Sequence, residues 1–137
     1  MSVPEGMRSK SRFEVIEQAL GLAEYTINIM KNDKKFPPKL LQLMGKNYAE
    51  SAIKIFNLCF EANLIRVTSK GSWGERKKLQ EKADRACTVL LADISLGAKV
   101  FKLPVKRFEF WSNMVMKTLN LIRAWKEADQ RRYGKIE

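Results

Sequence analysis

Histidine is missing from the 137-residue chain. With it goes the side chain most often used for acid–base chemistry near neutral pH. The seven glycines form no phosphate-cradling loop, and no paired carboxylates stand out in a cleft-like context, so a catalytic constellation is not expected. Cysteine occurs only twice, as Cys59 and Cys87, each inside an apolar helical pattern. Two isolated cysteines lack the spacing of a metal site and read as buried thiols, so neither metal nor other cofactor is expected. No apolar run approaches the roughly 20 residues that span a bilayer. Residues 1–12 are polar and basic, without the apolar stretch of a secretory signal. A soluble, cytoplasmic protein is expected.

Acidic residues are also scarce, 15 against 26 lysines and arginines, leaving a net charge of +11 and a pI near 9.8. Such a field attracts polyanions, and nucleic acid, foremost RNA, is the expected partner, although a basic surface also serves solubility alone. At 45% apolar residues the chain has material for the core of one domain, and its charges interleave with apolar residues as on solvated helix faces.

Periodicity predicts four helices, over residues 13–32, 38–67, 73–99 and 104–131. In the first, Phe13, Ile16, Leu20, Ala23, Ile27 and Met30 form a core stripe, with Val15, Leu22 and Ile29 on its flank and Glu14, Glu17 and Glu24 on the remaining arc. Pro37 and Pro38 end one helix and suit the first turn of the next, where Leu41, Gly45, Ala49, Ala52, Phe56, Phe60 and Val67 share a face. Ser72 and Glu75 have capping-box spacing for the third helix, which buries Leu79, Ala83, Leu90 and Ile94. Asp93 interrupts this run, as a residue at the edge of the buried face or a buried carboxylate with a cationic partner. Trp73 is the one aromatic residue expected in an exposed loop, unless it staples the helix. Gly97 and Pro104 bracket the last connection. The fourth helix carries Phe108, Trp111, Val115, Leu119, Ile122 and Trp125 as a stripe flanked by Phe110, Met114 and Leu121. Either all nine belong to one core, or the first and last helices also make subunit contacts through Val15, Leu22, Ile29, Phe110, Met114 and Leu121.

Short connections force neighbouring helices antiparallel, so the expected fold is an all-α, up-down-up-down four-helix bundle. It gathers Lys31, Lys34, Lys35, Lys39, Lys99, Lys102, Lys106 and Arg107 at one end. At the other lie Arg66, Lys70, Arg76, Lys77, Lys78, Arg131, Arg132 and Lys135, with Arg8, Lys10 and Arg12 of the basic N-terminal tail. Lys78, Lys82 and Arg85 form a stripe along the third helix. Apart from Lys99, Lys135 and the three tail cations, these are the expected phosphate contacts. Lysine predominates, so strong reading of base sequence is not expected. No helix-turn-helix, zinc-finger or RNA-recognition signature occurs.

Several strings carry a likeness: Leu22-Ala23-Glu24-Tyr25-Thr26, Lys34-Lys35-Phe36-Pro37, Glu61-Ala62-Asn63, Lys106-Arg107-Phe108-Glu109-Phe110-Trp111 and Ala124-Trp125-Lys126. In order and pattern, over roughly residues 13–133, they resemble the accessory variability determinant family of diversity-generating retroelements. The resemblance implies a bacterial, archaeal or phage-encoded protein forming a homopentameric barrel of four-helix bundles. It would bind the element's reverse transcriptase and template RNA and support mutagenic retrohoming without itself being an enzyme. Lys34, Lys35 and Lys39 match a cationic first turn in that family, and Lys78 a basic start to the third helix. Two alternatives stand beside it: a four-helix-bundle protein encoded in a ribosomal RNA intervening sequence, and a protein-only oligomeric adaptor whose charge meets an acidic partner.

Overall fold

A computed structural model describes the backbone of residues 5–31 and 34–136, and the side chains of residues 14–31 and 34–136. Four helices and no strand occur among the described residues: α1 (Glu5–Lys31), α2 (Pro38–Leu64), α3 (Lys70–Val100) and α4 (Val105–Tyr133). Each packs on its neighbours in sequence, and α1 against α4 closes the four-helix bundle. No described helix is long and apolar enough to cross a membrane.

Helix ends depart from expectation where local capping differs. Helix α1 starts eight residues earlier than predicted; the side chains of Arg8, Lys10, Arg12 and Phe13 lie outside those described. Pro38 occupies the first turn of α2, as its missing N–H favours. Helix α3 starts at Lys70 because the capping box is Ser69 with Ser72, not Ser72 with Glu75: Ser72 N donates to Ser69 Oγ at 3.1 Å and Ser69 N to Ser72 Oγ at 3.0 Å. Trp73 therefore lies within α3, buried with its ring 5.9 Å from that of Tyr133, not in an exposed loop.

Gly97 is likewise inside α3, and its role is close approach: a Cβ there would collide with the Tyr48 hydroxyl and lie 2.9 Å from Leu40 Cδ1. The helix ends later, with Leu103 N donating to Ala98 O at 2.9 Å and Lys102 N to Lys99 O at 3.3 Å, a pattern that puts Lys102 in the left-handed region at φ 53°.

The core confirms the stripe of α4, where Trp111, Val115, Leu119, Ile122 and Trp125 are buried and Phe108 half-buried. Trp111 joins three helices. Its Nε1 donates to Thr26 Oγ1 of α1 at 3.0 Å, and its ring meets Tyr48 of α2 edge-on at 4.9 Å. In α3, Ala83, Leu90 and Ile94 are buried as expected, and Asp93 sits at the edge, accepting from Asn47 Nδ2 at 3.0 Å. The phase of α1 is corrected: Val15, Ala19, Leu22, Thr26 and Ile29 face the core together with Ala23 of the expected stripe, Ile16 and Met30 pack half-buried against it, and Leu20 is 49% exposed. In α2 the buried residues are Leu40, Gly45, Tyr48, Ala52, Ile55, Leu58, Cys59 and Ala62, so that Gly45 and Ala52 of the expected face are buried, Leu41 and Phe56 are half-buried and Phe60 is exposed.

Cys59 and Cys87 are free and buried, and burial pushes the Cys59 thiol up to about 12 and the Cys87 thiol higher still. Burial, with the charge of Asp93, raises the Tyr48 hydroxyl to about 12.

Candidate nucleic-acid interface

The α1–α2 and α3–α4 connections lie at the same end of the bundle, so their lysines converge. Lys31, Lys34, Lys39, Lys99, Lys102, Lys106 and Arg107 are exposed there. Arg107 Nη1 donates to Lys35 O at 3.0 Å, tying the first turn to α4, and Lys35 Nζ donates to the Tyr25 hydroxyl at 2.8 Å. Among the described residues, Lys31, Lys35, Lys39, Lys99, Lys102, Lys106 and Arg107 make no ion pair with a carboxylate. Seven cations without a carboxylate partner thus gather at this end.

Lys102 adds a conformational observation. Its left-handed φ disfavours a side chain by about 1–2 kcal/mol, and glycine is the usual occupant of such a position. Lys102→Gly is expected to raise stability in urea denaturation by about 1 kcal/mol while removing one cation from the cluster; a destabilised variant would show that the lysine stem holds the turn.

The opposite end is partly neutralised. Arg131 pairs with Glu127 at 3.4 Å and Arg132 with Asp129 at 3.4 Å, while Arg66, Lys70 and Lys78 remain exposed. Arg76, expected to contact phosphate, is 1% exposed and cannot do so. Its Nε lies 3.0 Å from Asp129 Oδ2, its guanidinium sits over the rings of Trp125 and Tyr133 at 5.2 and 6.0 Å, and Gln80 Nε2 donates to the same carboxylate at 2.9 Å. The signal was present: Asp129 extends the Trp111–Trp125 stripe by four residues, and a carboxylate on a core stripe needs a buried cation.

Two grooves differ in charge, one balanced and one cationic. The α3–α4 groove, about 530 Å³, mixes Lys77, Arg123 and Lys126 with Glu81, Asp84 and Glu127. Arg123 Nε donates to Asp84 Oδ2 at 2.7 Å and Lys126 Nζ lies 3.4 Å from Glu81. Hydrogen bonding to Asp84, then its charge, raises the Arg123 pKa. Lys77 therefore faces a balanced surface. The α2–α3 groove, about 370 Å³, is lined by Lys54, Lys82 and Arg85 with Ser51, Leu58, Ala86 and Val89 and no carboxylate, although Arg85 also borders the mixed side. Lys54 was not among the expected contacts. Its place opposite Lys82 and Arg85 depends on how α2 pairs with α3.

The proposed subunit-contact residues divide similarly. Val15, Leu22 and Ile29 are buried in the chain's own core and cannot contact another copy. They lie on the face that α1 turns toward the bundle interior. Met114 and Leu121 are half-buried against that core, and Phe110 is exposed. Exposed apolar residues instead recur on α2 as Ile53, Phe60 and Leu64, and on α1 as Leu20. Among the described residues no histidine, cysteine or carboxylate cluster with metal-binding potential occurs. Comparison of the chain with protein-family models, curated proteins and solved structures finds no match.

Proposed function

We propose that this protein is a non-enzymatic accessory factor of a diversity-generating retroelement, holding template RNA for a reverse transcriptase during mutagenic retrohoming. The observation that carries the RNA part is the end cluster of Lys31, Lys35, Lys39, Lys99, Lys102, Lys106 and Arg107 without carboxylate partners. Solvated, unpaired cations give up counterion-stabilised exposure cheaply to a phosphodiester backbone, and lysine does so with little base selectivity. The charge-balanced α3–α4 groove lacks that property. The retroelement assignment and the reverse transcriptase as partner rest on the resemblance of the five strings named above. Assembly as a homopentamer is part of the same reading. Ile53, Phe60, Leu64 and Leu20 supply exposed apolar side chains for it.

Filter binding of RNA across a salt series tests the proposal. Wild-type retention is expected to fall steeply with salt, and reversing Lys34, Lys35 and Lys39 together to glutamate to weaken binding and reduce the log–log slope by at least about 2, from about 0.7 per lost single-strand phosphate contact. Absence of retention at low salt would leave a protein-only adaptor. Sedimentation checks the assembly, for which a monomer is the adverse result, and co-purification with a co-expressed reverse transcriptase of a diversity-generating retroelement checks the partner.

A further inference from the structure

One exposed aromatic residue stands inside the unpaired cationic end. Phe110 is 62% exposed, and its ring packs on that of Tyr25 at 5.2 Å with the planes inclined by 53°. Lys35 Nζ bonds the Tyr25 hydroxyl and lies 5.1 Å from the centre of its ring. Arg107, whose guanidinium bonds Lys35 O, precedes Phe110 by three residues on α4, and Lys106 by four, so helical geometry puts both on the turn beside it. Three separate segments, α1, the α1–α2 turn and α4, thus hold an aromatic pair amid cations. Glu24 and Glu109 adjoin the two rings in sequence, but a helical step of about 100° turns each away from its neighbour's direction.

Resting on the RNA-binding reading above, we propose that the Tyr25–Phe110 pair is a ledge on which an unpaired base of single-stranded RNA stacks, while Lys35, Lys106 and Arg107 hold the flanking phosphates. A nucleotide matches this surface on both counts, with a flat π face for the rings and a negative charge for the cations. An apolar protein surface laid over Phe110 would instead have to desolvate the surrounding lysines, a residue type depleted from the centres of protein interfaces. Bases inside an A-form duplex have both faces covered, so the ledge selects single strands or loops.

The test is fluorescence anisotropy of the full chain with a labelled oligoadenylate and with a blunt RNA duplex of equal length. Phe110→Ala is expected to weaken oligoadenylate binding about tenfold, within the range of one lost base–aromatic stack. It should leave duplex affinity and the salt slope unchanged, and Phe110→Tyr should retain wild-type affinity. Arg107→Gln should weaken both ligands and lower the single-strand slope by about 0.7. Wild-type-like binding by Phe110→Ala, or an equal loss on duplex and single strand, overturns the ledge while leaving RNA binding intact. Dissociation of the assembly by Phe110→Ala in sedimentation would make the ring a subunit contact and also overturn it. Failure of the wild-type protein to bind any RNA removes the underlying reading.

Discussion

Asp129→Ala is expected to destabilise the bundle by about 3–5 kcal/mol, the cost typical of removing one partner from a buried ion pair. The carboxylate is fully buried, and it is the acceptor for Gln80 Nε2 at 2.9 Å and the partner of Arg76 Nε at 3.0 Å. Its loss strands the Arg76 guanidinium among Trp125 and Tyr133, where water does not replace the missing charge. Removing both charges is different in kind. Arg76→Met with Asp129→Leu fills similar volume without a charge to solvate, and is expected to be far more stable than Asp129→Ala alone. Urea denaturation followed by circular dichroism measures both. A cost below about 1 kcal/mol for Asp129→Ala would mean that Arg76 reaches solvent by a small rearrangement.

Gly97→Ala carries the next largest effect. The added methyl overlaps the Tyr48 hydroxyl, which donates to Asp93 O at 3.1 Å, and crowds Leu40 Cδ1. The hydroxyl cannot move outward without losing that bond, and the Tyr48 ring is held edge-on against Trp111. A loss of about 2–3 kcal/mol is expected, at the upper end for overpacking because a hydrogen bond goes with the fit. Tyr48→Phe removes the colliding oxygen, so Gly97→Ala should cost less in that background than in the wild type. Equal costs in the two backgrounds, measured as a double-mutant cycle, would show that the strain lies against Leu40 instead.

Residues whose periodicity admits a single solution were legible without coordinates. Trp111, Val115, Leu119, Ile122 and Trp125 define one stripe, the paired prolines start α2, and Cys59 and Cys87 are buried where apolar neighbours surround them. Helix α1 offered two apolar lines. Ile16, Leu20 and Ile27 are as hydrophobic as Val15, Leu22 and Ile29, yet only the second set is fully buried, while Ile16 packs half-buried against the core and Leu20 is exposed. A wide apolar arc does not say which edge its neighbours cover. The misplacement of Val15, Leu22 and Ile29 at a subunit contact followed from that ambiguity.

Charge was legible as a sum and not as a surface. Composition and short connections sufficed for a basic four-helix bundle with cations at its ends, because net charge and helix number are properties of the chain alone. Which cations remain available was decided by packing: Arg76 by the carboxylate opposite it, Lys77 by Glu127 across a groove in addition to Glu81 and Asp84 on its own helix, and Lys54 by the pairing of α2 with α3. Electrostatic energy depends on distance and on access to water, and both exist only after distant segments have been brought together.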